Sequence, residues 1–410
     1  MAVAAAPKID PRPAIPAHVP PELVVDFDIY GSSVGSDDYL VAWSRLQQEI
    51  GHKVIWTPRN GGHWVAMRGP GVLAVYADSA RLSSDSFGVP VAEGDQVPLG
   101  ALIVDPPDHH FYRGFLDKGM SLLVVRANEA AIRTRAIGLI EGFQARGHCD
   151  FVKEFGDVLP LSVFLSLVGL PLEDREMLSA WTADTVRGAD LAAREAAFTN
   201  LANYLGPVIE QRRATPGDDM FSAIATLKVG ERPLTQAEAV GAAIHLCMAG
   251  LDTVASLLVF VIAHLARHPE LRRQLIAEPQ KIPAAVSEGI RRFAIVIMSR
   301  RVRADIEFEG VSLKTNDMIS APSMLYNLDP DIYPDPLHFD LGRRVAQVAT
   351  FGDGIHRCPG ALLGRAELTI TLQEWLKRIP EFELADEKAL KVVGGIVACM
   401  EHLPLRWPTV

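Results

Sequence analysis

Cysteine is scarce, with four in 410 residues, at positions 149, 247, 358 and 399. Four are too few to staple a chain of this length and too scattered for a zinc ribbon or a redox Cys-x-x-Cys pair, so a reducing cytoplasm is the expected home. Basic charge is lacking too. Forty Lys and Arg against fifty Asp and Glu leave a formal charge of −10 and a pI near 5.7, which excludes nucleic acid and anionic lipid as the main partner. The N-terminal residues show no basic stretch followed by an apolar core. Six prolines fall within residues 7–21 instead, which predicts an extended, mobile arm over 1–21, neither signal peptide nor anchor. The apolar stretch 246–263 is broken by Gly250, Asp252 and Thr253. A central Asp costs about 2.5–3.5 kcal/mol on membrane-insertion scales, so a buried core helix and no membrane are expected. Absent as well are a glycine fingerprint after a strand and a four-cysteine cluster motif, so flavin, nicotinamide and iron–sulfur chemistry must come from other chains.

What is present is apolar and helical. A hydrophobic share of 49 %, without a long polar linker, favours one domain over 22–410, acting as a monomer. Strand-like pieces occur at 54–57 and 63–67 around Gly61-Gly62, and again at 306–308, 311–313 and 318–321. Helical spacing covers 126–144, 159–168, 174–186, 191–213, 235–267 and 271–276, with Thr235 and Glu238 placed as a capping box. No repeat or low-complexity tract interrupts this pattern. The fold class is mostly α with a minor β portion.

One segment is more informative than the rest: Phe351-Gly-Asp-Gly-Ile-His-Arg-Cys358-Pro-Gly360. It delivers a cysteine to the start of an apolar helical run over 361–376. A helix N-terminus carries unpaired N–H groups and partial positive charge, so it is expected to lower a thiol pKa and donate to the sulfur. Gly352, Gly354 and Gly360 permit the close approach that a planar cofactor needs. A lone cysteine in a tight turn is more often a buried structural residue, but this context points to an iron thiolate. Ala249-Gly250-Leu251-Asp252-Thr253 places an acid and a hydroxyl in an apolar helix, where both are costly unless paired or used. By itself it also fits a bend in which Thr253 bonds back to a carbonyl one turn earlier. Glu288 and Arg291 share one helical face, as a surface ion pair worth about 0–1 kcal/mol would. His109, Arg113, Arg300 and His356 read individually as surface charges or as cations for an acidic ligand. Arg343, Arg344, Arg357 and Arg365 make the region around Cys358 basic within an acidic chain.

Taken together these segments resemble the cytochromes P450, the haem-thiolate monooxygenases. The loop fits F-x-x-G-x-H-x-C-x-G, and residues 249–253 fit A/G-G-x-D/E-T. The resemblance implies a triangular-prism fold and haem b (iron protoporphyrin IX) as cofactor. It makes Cys358 the axial ligand, places Phe351, Gly352 and Gly360 in the cofactor's cradle, and offers His109, Arg113, Arg300 and His356 to its carboxylates. It implies that Gly250 leaves room for dioxygen while Asp252 and Thr253 relay protons. Glu288 and Arg291 become a buried structural pair completed by Arg343, with Arg344 adjacent.

Gly61-Gly62-His63-Trp64, Asp105-Pro106-Pro107, Arg291-Arg292-Phe293 and Gly395-Ile396-Val397 narrow the likeness to the bacterial camphor-hydroxylase group. That group implies hydroxylation of a small apolar molecule, a terpenoid or a norisoprenoid such as an ionone. Its electrons would come from NADH through a separate flavoprotein reductase and a two-iron ferredoxin, docked at a face containing Arg113 and Arg365. The expected pocket takes Val97, Leu246, Gly250, Ile295, Ile297, Ile396 and Val397. Val97 stands where the camphor enzyme has a tyrosine, and no tyrosine lies between Phe87 and Asp105, which argues against camphor itself. A peroxide-using relative, or a haem-binding protein that never turns over, is the alternative.

Overall fold

Period-two alternation and a glycine turn build the first hairpin in the computed structural model, which describes residues 13–31, 39–91, 97–188 and 191–409. Strands β1 (Val54–Thr57) and β2 (His63–Ala66) pair antiparallel around Asn60, Gly61 and Gly62, all at positive φ. They join β3 (Leu82–Ser83), β4 (Ile297–Val302) and β5 (Met318–Pro322) in a sheet of order β1-β2-β5-β4-β3. Only the β2–β5 contact is parallel, with Ile319 opposite Trp64, while Ile319 also faces Arg300 across the β4–β5 ladder. The expected hairpin at 306–313 forms, with Glu309 and Gly310 at positive φ in its turn.

Three further small sheets aside, helices make up most of the rest. Those that position the site are α1 (Gly69–Ala77), α2 (His109–Gly119), α3 (Leu122–Gln144), α4 (Val158–Val168), α5 (Arg175–Arg187) and α6 (Leu191–Ala214). They are followed by α7 (Gln236–Leu251), α8 (Thr253–Arg267), α9 (Ile282–Arg292) and α10 (Ala361–Arg378). The α7–α8 run, expected as one helix, is interrupted at Asp252, whose φ of −121° leaves the helical range. Its start matches expectation: Thr235 accepts from the Glu238 N–H and Glu238 returns the bond, closing the capping box. The run is long and apolar enough to cross a membrane, yet 72 % of its most apolar window is buried in protein. It lies on α4, α6 and α10, while α3 packs along α10 and an aromatic cluster of Phe151, Phe155 and Trp375 closes the core behind it.

The expected mobile arm needs correction over residues 13–21. Val19 is buried, and the His18 imidazole bonds Asp317 at 2.8 Å beside Trp64, whose indole N–H donates to the same carboxylate. Residues 1–12 lie outside the described residues.

Candidate active site

The cysteine loop is closed by its own backbone, with the Cys358 N–H donating to the Phe351 carbonyl at 2.8 Å. Gly354 sits at φ +66°, and a Cβ there would meet the Ala77 Cα at 2.9 Å, so the loop can lie on α1 only with glycine at this point. Burial pushes the Cys358 thiol pKa up, against the expected lowering. The Gly360 and Ala361 N–H groups and the Arg113 and Arg357 guanidiniums pull the other way, so the helix start does address the sulfur as expected.

Cys358 lines a cavity of roughly 1850 Å³, mouth included, that also reaches the α7–α8 break. Thr253 lines it as well, its hydroxyl donating to the Ala249 carbonyl at 3.0 Å. Gly250 lines the cavity too, with a role not foreseen. A Cβ there would stand 2.3 Å from Phe164 Cδ2, so the missing side chain admits the Phe164 ring from α4. Asp252 turns the other way. Its carboxylate takes two bonds of 2.6 Å from Arg187, which also donates to the Val397 carbonyl. Asp252 is thus off the main cavity and in a second, polar one lined by Lys153, Asp157 and Arg187, where burial pushes the Asp157 carboxyl up to about 6.

One end of the main cavity is prepared for anions. Arg300 is 3 % exposed and donates to the Ser299 carbonyl, with no carboxylate among the described residues within ion-pair reach. The buried Nε2 atom of His109 lacks a hydrogen-bond partner, that of His356 has only the Asp105 carboxylate at 3.6 Å, and the two rings meet edge-on at 4.5 Å. A buried guanidinium without an anion and an orphaned imidazole nitrogen are costly in isolation, and a cofactor with two carboxylates would satisfy them. A planar macrocycle with an iron centre, ligated by the Cys358 sulfur, would fit this donor set. Arg113 lines the same end but is otherwise engaged: it donates to the Ile355 and Arg357 carbonyls and pairs with Asp117 at 2.7 Å. It thereby braces the cysteine loop from the cavity wall, a role beside the one expected of it at a cofactor carboxylate. Arg365, expected as an open docking residue, packs 5.7 Å from the Phe351 ring and bonds Ser287, whereas Arg357 is exposed.

The structural pair forms a triad. Glu288, 1 % exposed, accepts from Arg291 at 2.7 and 2.8 Å and from Arg343 at 3.1 Å, and Arg344 stands in solvent. Arg291 further ties the Asn327 and Pro336 carbonyls.

Of the expected pocket residues, Leu246, Gly250, Ile295, Ile396 and Val397 line the cavity. Two do not. Val97 packs on the core away from it, and the wall from that loop is made by Ala101 and Leu102, with Phe87 beside them. Ile297 falls on the wrong face, because strand side chains alternate and Val296, Met298 and Arg300 take the inward positions. Sequence reading missed Phe164, Arg187, His245 and Glu367. Glu367 lines the cavity from α10, one carboxylate oxygen without a partner, and burial pushes it up to about 8.

Comparison with known proteins agrees with this geometry. The family model "Cytochrome P450" matches residues 182–391. "Probable cytochrome P450 127A1" of Sinorhizobium fredii is 34 % identical over 402 residues, covering 96 % of this chain and 97 % of that protein. The "Vitamin D(3) 25-hydroxylase" of Pseudonocardia autotrophica is 31 % identical, covering 84 % and 87 %. Among solved structures, cytochrome P450 CYP101C1 superposes with a TM-score of 0.87 at 40 % identity, covering 96 % of this chain and all of that one. CYP101J2 does so with the same score at 39 % identity, covering 96 % and 99 %. A family model over just over half the sequence and relatives aligned nearly end to end leave one conclusion: the chain belongs to the cytochrome P450 family, monooxygenases that bind haem b through a cysteine thiolate.

Proposed function

We propose that this cytochrome P450 hydroxylates a small apolar molecule of the terpenoid or norisoprenoid class, with electrons from NADH delivered by a flavoprotein reductase and a two-iron ferredoxin. The observation that carries the reading is one largely apolar cavity lined both by the Cys358 loop and by the segment from Ala249 to Thr253. Haem, when bound, supplies the activation of dioxygen and the insertion of one oxygen atom into a C–H bond. Cys358 would hold it through its sulfur, and Arg300, His109 and His356 would bind its carboxylates.

The remaining work falls to side chains of the chain itself. Phe164, Leu246, Ile295, Ile396 and Val397 exclude water and shape the substrate's seat. Thr253 keeps a hydroxyl proton at the cavity wall, one residue from Asp252. Asp252 communicates with the polar cavity behind it, and Arg187 holds its carboxylate in place. A proton taken up on the Asp157–Arg187–Asp252 side can pass the helix break to Thr253 while the substrate side stays dry. The exposed Arg357, with Arg113 and Arg365 behind it, suits an acidic ferredoxin. The chain is proposed to act as a cytoplasmic monomer.

Reconstitution with NADH, a ferredoxin reductase, a two-iron ferredoxin and a panel of terpenoids tests this reading. Ferredoxin-dependent NADH consumption matched by hydroxylated product is expected. Turnover with peroxide alone, or haem binding without any product, would replace it with the peroxide-using or non-turnover alternative.

A further inference from the structure

Two polar side chains in the cavity, Glu367 and His245, remain without a task. Of the others, Tyr76 donates its hydroxyl to the Ala321 carbonyl, and Thr350 donates to the Ile290 carbonyl. His245 has no hydrogen-bond partner among the described residues, although it lines the cavity from α7. It shares a helical face with Ala249 and Thr253, at i, i+4 and i+8, so it looks onto the same space about 12 Å further along the helix. Burial pulls its pKa down to about 4, with His356 as the one charge acting on it. At neutral pH it is a neutral imidazole, with one N–H to give and one lone pair to accept.

The surroundings define what it can meet. Around it the wall is Ala101, Leu102, Leu246 and Ala249, and Val97, once expected to face the substrate, is turned away. A polar group with no partner in an apolar wall is unfavourable until a ligand satisfies it. We infer that His245 orients the substrate, its ring N–H donating to a single acceptor oxygen, a ketone or an ether, on an otherwise apolar molecule. The inference rests on the monooxygenase reading above. It adds the position that fixes which carbon faces the iron: the oxygen is anchored at His245 and the reacting C–H lies towards Thr253.

The test uses the haem-loaded protein and two matched pairs, camphor with camphane and β-ionone with its carbonyl-free analogue. Dissociation constants are read from the low-spin to high-spin shift. In His245→Leu the affinity ratio of ketone to hydrocarbon falls by about 2- to 10-fold relative to wild type in at least one pair, the yield of a neutral hydrogen bond. The product set widens, while haem content and the carbon monoxide spectrum stay unchanged. His245→Gln, which keeps a donor, restores part of the ratio. An unchanged ratio in both pairs overturns the inference, and so does loss of haem in both variants, which would make His245 a cofactor ligand. Absence of the red-shifted carbon monoxide band in the wild type would instead overturn the reading on which it rests.

Discussion

Replacing Glu367 by Gln removes a buried carboxyl that the fold satisfies poorly. Glu367 is 2 % exposed, one oxygen has no partner, and burial holds its pKa at about 8 against a usual 4.5. A raised folded-state value means that the neutral acid is the form the fold accepts. The stability it contributes is fully present below about pH 4.5 and is lost as pH climbs towards 8, because ionisation favours the unfolded chain. At about 1.36 kcal/mol per pH unit, the wild type should lose roughly 4 kcal/mol from this one group between pH 5 and pH 8.5. Gln cannot ionise and has no such slope. The unfolding free energy of Glu367→Gln minus that of wild type should therefore rise by roughly 4 kcal/mol across that interval, which cancels any fixed packing cost of the amide. Urea titrations of the haem-loaded protein, followed by tryptophan fluorescence at several pH values, give the difference directly. Parallel pH curves for the two proteins would show that Glu367 is ionised in the fold and would refute the reasoning.

Three further outcomes are expected. Thr253→Ala gives up one helix back-bond worth about 1 kcal/mol, so it folds and binds haem, but it diverts NADH into peroxide; equal product per NADH in variant and wild type would remove the proton role. Arg291→Met leaves Glu288 buried with Arg343 alone and costs about 3–5 kcal/mol in a urea midpoint series, and a loss under about 1 kcal/mol would contradict the triad. Val97→Tyr leaves camphor affinity within about twofold of wild type, since position 97 is off the cavity wall; marked tightening would mean that its loop turns inward.

Legibility in the sequence followed distance along the chain. The Cys358 loop, the Glu288–Arg291 pair and the Thr235 cap were readable because their chemistry is complete within ten residues. Arg187 was not, because it finds Asp252 across 65 positions. That a Cβ at Gly250 would meet the Phe164 ring is likewise shown only by the fold, since the two lie 86 positions apart. Val97 was placed by counting back from Asp105, which carries no information about which way a loop residue faces. Ile297 failed for a smaller reason, a strand whose inward phase begins one residue away from the assumed one. The docked part of the arm was hidden because proline content reports stiffness, whereas His18 and Asp317 are a tertiary pair.

The brace that Arg113 places on the cysteine loop has a consequence for biosynthesis. Its two carbonyl partners follow it by 242 and 244 residues. At about 5–20 residues per second a ribosome needs roughly 12 to 50 seconds to cover that interval. Throughout it, helix α2 is made but has no loop to hold, and the cavity that Cys358 completes is an open apolar surface. Capture of the cofactor is thereby confined to a nearly finished chain. A cell short of haem at that moment is left with an exposed hydrophobic cleft, which makes the pigment's supply a matter of protein quality control as well as of activity.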